Sequence, residues 1–248
     1  MNEKAVEATV VVGAGGGIAR ALIAKLLEAD PARHVIAISR SAQRDHDWLV
    51  PDPRLHWRQS DNTEESMAGI ADDLSNKSFN IDRLFICNGI LHQGNIAPEK
   101  RLASVNYESL GAVFNVNAFI PILWLKHLMP VLSRKGDNVV TVFSARVGSI
   151  DDNQAGGWYS YRASKAALNM LLKTVAIEYR RSAKNTRFLA FQPGTTDTDL
   201  SAPYRRGIPE DKIFAPDFVA ERLLAIVDSL PVEPALNFLD WDGKTVAW

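Results

Sequence analysis

The stretch Ala8-Thr9-Val10-Val11-Val12-Gly13-Ala14-Gly15-Gly16-Gly17-Ile18-Ala19-Arg20 decides the fold. Residues 8–12 are rich in β-branched side chains and read as a buried strand. A helical run follows the glycines and continues through Leu27. Glycines at a strand-to-helix junction let the backbone turn sharply and approach a phosphate, whose charge the helix amino end then stabilises. A purely structural tight turn is the competing reading of the same residues.

Similar strands recur along the chain at His34 to Ser39, Leu55 to Gln59, Arg83 to Cys87, Asn138 to Ser144, Thr186 to Gln192 and Ala235 to Phe238. Longer helical patterns separate them, which predicts an α/β fold: a doubly wound, mostly parallel sheet with helices on both faces. Ligands in such sheets bind at the carboxyl ends of the strands, so the residues just after each run are the candidates for chemistry. No Pro/Gly/Ser-rich linker divides the 248 residues, which predicts a single domain.

The chain is 46% apolar and carries 28 basic and 29 acidic residues, for a formal net charge of −1. That balance offers no footprint for nucleic acid or an anionic membrane and makes a small soluble substrate the default. The beginning, Met1-Asn2-Glu3-Lys4-Ala5-Val6-Glu7, is not ordered like a secretory signal, and no run is read as long and apolar enough to span a membrane. The single cysteine, Cys87, permits no internal disulfide and fits a reducing, cytoplasmic setting. No histidine or cysteine spacing suits a metal.

Tyr161 and Lys165 stand four apart near the start of a long helix, so their side chains share a face. A cation about 4 Å from a phenol, at an effective dielectric near 20, is worth roughly 4 kcal/mol, or up to about three pKa units downward before screening. The pair therefore reads as a candidate acid and its activator, although any helix of this length can carry such a spacing. The same helix is apolar on two faces, Ala167, Met170, Leu171, Thr174 and Ile177 on one and Leu168, Leu172, Val175 and Tyr179 on another. Two apolar faces need two partners. One covers the sheet; a second subunit or an insertion of the same chain takes the other.

Dinucleotide sites of this kind usually carry an acid at the end of the second strand when the cofactor is NAD. Here that strand ends Ser39-Arg40. An arginine suits a 2′-phosphate, so NADP(H) is expected over NAD(H), against a reading of Arg40 as a solvated loop residue.

With these residues in view, the chain resembles the short-chain dehydrogenase/reductase family from Val10 to about Phe238. The family's Thr-Gly-x-x-x-Gly-x-Gly motif is similar to Val12 to Ala19, with the first residue and last glycine changed. The resemblance implies a seven-stranded Rossmann-type domain that binds NADP(H) through Gly13, Gly15, Gly16, Gly17, Ile18, Arg40 and Asp61. Asn88 and Gly89 stand where the family's Asn-Asn-Ala-Gly motif falls, and Pro193, Gly194, Thr196 and Thr198 resemble the segment that closes over the nicotinamide. Tyr161 and Lys165 match the family's Tyr-x-x-x-Lys and serve both cofactor and catalysis; Tyr159 has no lysine at the matching distance. Asn117, 13 residues before Pro130, matches the helix asparagine, ahead of Asn115. For the serine, alignment on the strand Val139 to Val142 selects Ser144, whereas alignment on Gly148 puts Ala145 in its place; the strand alignment is preferred. Gly148-Ser149-Ile150, the run Gly156 to Ser160 and the ending Leu239 to Gly243 look like the C-factor branch of carbonyl-reductase-like members.

The resemblance implies an enzyme that moves a hydride between NADP(H) and a small carbonyl or alcohol, in a homo-oligomer, a dimer or tetramer. In that mechanism Tyr161 is the general acid/base, Ser144 bonds the carbonyl oxygen, Lys165 lowers the Tyr161 pKa and holds the ribose, and Asn117 orients a relay water. Substrate choice is expected from the loops 91–98, 146–158 and 202–214. Trp158 and Tyr204 suggest an apolar wall, and Arg146, Arg205 and Arg206 an acidic substrate, unless Glu210 and Asp211 balance the last two. The competing class is a non-catalytic dinucleotide-binding sensor or signalling protein on the same scaffold.

Overall fold

The computed structural model describes residues 6–45, 51–132 and 136–248; the expectation drawn from Met1 to Ala5 lies outside them. Seven strands form one sheet in the order β3-β2-β1-β4-β5-β6-β7. They are β1 Val6–Val12, β2 His34–Ser39, β3 Leu55–Gln59, β4 Phe79–Ile86, β5 Asn138–Phe143, β6 Thr186–Gln192 and β7 Leu236–Asp240. Every neighbouring pair is parallel. The fourth strand begins four residues before Arg83, because Phe79 to Ile81 pair with Val6 to Ala8 ahead of a register shift between Ala8 and Thr9. Polar Asn80 and Asp82 interrupt its apolar pattern and hide that beginning in the sequence.

Successive side chains of a strand face opposite sides, and the core divides accordingly. Val10, Ile36, Val140 and Val142 belong to one apolar layer, Val11, Val35, Val139 and Phe143 to the other. Helices α1 (Gly17–Ala29) and α6 (Pro216–Ser229) cover the second layer. The first is covered by α2 (Glu64–Ser75) and α5 (Tyr159–Ser182). It is also covered by a π-helical segment Asn115–Phe119 and α4 (Ile120–Leu128), which continue α3 (Tyr107–Phe114) in one long helical run. The doubly wound architecture is thus as expected. The run Tyr107–Val131 is, by length and composition, apolar enough to cross a membrane, which the reading of the sequence did not find. Here its Val113, Ala118, Trp124, Leu125 and Leu128 are buried in the protein.

Of the two apolar faces of α5, Leu168 and Leu172 are fully buried, with Val175 and Tyr179 packed against the same layer. Ala167 and Leu171 also reach the core, whereas Met170 and Ile177 stay 67% and 51% exposed. Leu168→Ala should therefore cost about 2–5 kcal/mol, and Met170→Ala less than about 0.5 kcal/mol, compared by urea unfolding.

Candidate active site

The chain order reverses between β1 and its neighbours β2 and β4, which opens a crevice at the carboxyl ends of β1 and β4. Gly13 lies in that crevice with φ +79°, and its N–H and that of Ala14 both bond the Ile38 carbonyl, at 2.9 and 3.0 Å. A side chain at Gly13 would put Cβ 3.1 Å from the backbone of Cys87 and Asn88. Helix α1 starts after Gly16 with no side-chain cap, so its first N–H groups are open to an anion. Gly15 is held by the Arg20 Nε bond to its carbonyl at 2.8 Å. Ile18 is partly buried against the α1 side of the core. A Cβ on Gly17 would meet Thr198 Cγ2 at 2.8 Å, so the segment after β6 lies directly over the glycine turn.

That segment is Pro193, Gly194 at φ +73°, the buried Thr196 and the half-buried Thr198, and Ser201 ties it down by donating to the Thr196 carbonyl at 2.5 Å. Arg40 is exposed just beyond β2, where its carbonyl accepts from Gln59 Nε2 at 2.9 Å. Asp61 is exposed after β3 and accepts from the Thr63 N–H and hydroxyl at 2.9 and 2.8 Å, bonds that hold its carboxyl below the usual range. Asn88 keeps a buried side-chain oxygen with no hydrogen-bond partner. A Cβ on Gly89 would stand 3.6 Å from both Asn117 Oδ1 and Lys165 Nζ. A cradle without Cβ atoms, an uncapped helix start and an unpaired buried acceptor fit a dinucleotide.

The acid–base end is built on α5. Trp158 enters it in a left-handed conformation, φ 53°, with its N–H on the Glu99 carbonyl at 2.5 Å. The buried Glu99 carboxyl accepts from the Ser160 N–H at 3.1 Å and from the Ser160 hydroxyl. An acid at the positive end of a helix is favourable, yet Glu99 stands 61 residues away in sequence, outside any local capping pattern.

Tyr161 and Lys165 are both buried, and the Lys165 Nζ lies 6.0 Å from the Tyr161 ring centre. The ammonium donates to the Phe143 carbonyl at the end of β5, 2.7 Å away. Burial pushes the Tyr161 phenol up to about 12 and the Lys165 amine down to about 7. The shift of Tyr161 is thus upward and not downward as expected, because desolvation disfavours both charged forms.

Asn117 is fully buried in the π-helical segment, a helix distortion frequent at functional sites. Its side chain accepts from the Ile90 N–H at 2.8 Å and donates to the Ile90 carbonyl at 2.9 Å and the Ser164 hydroxyl at 3.1 Å. It thereby clamps the loop after β4 to α5, whereas Asn115 is exposed.

The expectation for Ser144 is corrected. Its side chain continues the alternation of Val140 and Val142 and turns beneath α5, where the hydroxyl donates to Asn169 Oδ1 at 2.6 Å. Asn169 lies eight residues beyond Tyr161, about 12 Å along the helix axis. The strand-end residue packed with Tyr161 is Ala145, in a small apolar cluster with Leu91, Val147, Trp158, Leu200 and Tyr204. Trp158 stands edge-on to both Tyr161 and Tyr204, with ring centres 6.2 and 5.4 Å apart. Arg146 is occupied by Asp240 at 3.2 Å and Asp152 at 3.7 Å. Arg205 pairs with Asp197, not with Glu210 or Asp211. Arg146 and Arg205, candidates to meet an acidic substrate, are thus paired with acids of the chain itself.

The family model described as short chain dehydrogenase matches residues 7–208. The chain belongs to the short-chain dehydrogenase family. It is 33% identical over 147 residues to the C-signal of Myxococcus xanthus, covering 59% of this chain and 83% of that one. To a benzil reductase ((S)-benzoin forming) of Bacillus subtilis it is 26% identical, over 90% of this chain and 93% of the other. A solved short-chain dehydrogenase/reductase from Burkholderia multivorans with bound NADP superposes with a TM-score of 0.82 at 25% identity, covering 98% and 99% of the two chains. These relatives agree with the C-factor and carbonyl-reductase resemblance of the loops.

The folded pKa of Lys165 lies below its unfolded value of about 10.4, so the unfolded chain binds more protons across the intervening range. Stability from this group is absent at low pH and accrues as pH rises through that window. The stability of the wild type minus that of Lys165→Met, from urea midpoints, should therefore grow from about pH 7 to about pH 10.

Proposed function

We propose that the protein is an NADP(H)-dependent reductase of small, apolar carbonyl compounds, with Tyr161 as proton donor. The observation that carries this reading is the buried Tyr161–Lys165 pair beside an apolar wall, at the same sheet edge as the glycine turn. The glycines 13–17, Asn88, Gly89, Lys165 and the segment 193–198 would hold the dinucleotide, and Arg40 favours the 2′-phosphorylated form. Bound there, the cofactor supplies the hydride.

A phenol pushed up to about 12 stays protonated at neutral pH, which suits an acid that gives its proton to a developing alkoxide. Lys165 Nζ, 6.0 Å from the Tyr161 ring centre and held in place by the Phe143 carbonyl, is the cation available to the phenolate left behind. Asn117, by family analogy, orients water for reprotonation. The aromatic edges of Trp158 and Tyr204, with Arg146 and Arg205 engaged by acids, favour uncharged aryl ketones and diketones over acids. The benzil reductase relative supports that class. The exposed Met170 and Ile177 strip supports a homo-oligomer.

A signalling protein that binds a dinucleotide without turnover is the second reading, favoured by the C-signal relative. Following NADPH absorbance with a panel of ketones, aldehydes and quinones separates the two. Tyr161→Phe should lower kcat by about 10²- to 10⁴-fold while NADPH affinity changes little; turnover near wild type removes Tyr161 from the chemistry. Arg40→Asp should shift the ratio of kcat/KM values away from NADPH toward NADH, and an unchanged ratio would show that Arg40 does not read the phosphate.

A further inference from the structure

Ser144 and Asn169 form a buried polar pair that the proposed chemistry does not use. Ser144 is 4% exposed and Asn169 also 4%, and the 2.6 Å bond between them is the one hydrogen bond recorded for either side chain among the described residues. The Asn169 amide nitrogen has no partner. An unpaired buried donor costs stability. Leu168 and Leu172 show that apolar side chains fill this side of α5 well, so the amide has a reason other than packing.

That reason lies one residue and one helical turn away. Phe143 and Ser144 are adjacent at the end of β5, and Lys165 and Asn169 are i and i+4 on one face of α5. The Lys165–Phe143 and Ser144–Asn169 bonds are thus successive rungs between the same strand end and the same helix. The Ser144 N–H donates to the Phe191 carbonyl at 2.8 Å and shares a planar peptide with the Phe143 carbonyl, so the ladder bond sets that carbonyl's direction and the second rung holds the adjoining residue against α5. Gly148 closes the arrangement from above, where a Cβ would stand 2.7 Å from Lys165 Cβ.

We propose that Ser144 and Asn169 are a positioning pair that aims the Phe143 carbonyl at Lys165, while Ala145 presents a methyl group, not a hydroxyl, to the substrate. The inference rests on the reductase reading. In it, Tyr161 alone of this group donates to the carbonyl oxygen, and β5 contributes shape but no hydrogen bond. One donor to a developing oxyanion is worth about 10²- to 10³-fold in rate, so the position is open to gain.

The test uses the full-length protein, NADPH and benzil, with thermal melting to check folding. Ser144→Ala and Asn169→Leu should each lower kcat about tenfold by loosening the geometry, with KM for benzil nearly unchanged. The double variant, whose two changed groups are both apolar, should be no slower than either single variant. Ser144→Thr, which keeps the hydroxyl, should restore most of the rate. NADPH affinity should fall several-fold in both single variants, because Lys165 loses its fixed direction. Ala145→Ser should raise kcat/KM about tenfold or more. A loss of about a hundredfold in Ser144→Ala beside near-wild-type Asn169→Leu would place Ser144 on the substrate and overturn the proposal. An Ala145→Ser variant no faster than wild type would also overturn it. If the wild type turns over no carbonyl compound, the reductase reading falls, and NADPH affinity decides the pair alone: unchanged affinity in both single variants overturns the positioning role.

Discussion

A buried ammonium needs an acceptor, and the bond from Lys165 Nζ to the Phe143 carbonyl supplies one. Burial alone already lowers the Lys165 amine to about 7, and without an acceptor the group at 2% exposure would hold its proton still less readily. Two elements must be placed correctly for the bond to form. The carbonyl is available because β5 ends at Phe143, and the amine reaches it because α5 descends beside that end. The entry of α5 is set by Glu99 and the left-handed Trp158, and its approach is permitted by Gly148, which has no Cβ to strike Lys165. The parallel order of the sheet in turn brings the ends of β1, β4 and β5 to one edge, so the glycine turn, Asn117 and Tyr161 meet there.

Much of this was legible from local pattern. Buried parallel strands are continuous apolar runs and helices have their own period, so strand positions and the two-sided packing could be read directly. The glycine turn and the Tyr161–Lys165 spacing are equally local signals. What escaped depends on where a side chain points or on distant partners. Ser144 and Ala145 are adjacent, and only the alternation carried through β5 decides which of them goes beneath α5. Glu99 caps a helix from 61 residues away, and Asp240 engages Arg146 from 94. For the Tyr161 pKa, the sequence supplies the spacing of two groups on a helix but not the solvent they lose, and burial sets the direction.

These corrections change the character of the site. It is a small apolar cluster in which Tyr161 packs with Leu91, Ala145, Val147 and two further aromatic rings. Arg146 and Arg205 beside it are engaged by Asp152, Asp240 and Asp197. On the proposed reading, such an apolar surface leaves the orientation of a carbonyl compound to very few polar groups.

The most direct test is a crystal structure of the wild-type protein with NADP⁺ and benzil, a pair that cannot react. The account predicts a benzil oxygen about 2.6–3.2 Å from Tyr161 Oη, with the Ala145 methyl beside it. It also predicts that Lys165 remains on the Phe143 carbonyl and Ser144 on Asn169. A benzil oxygen held by Ser144, or lying out of reach of Tyr161, would contradict it.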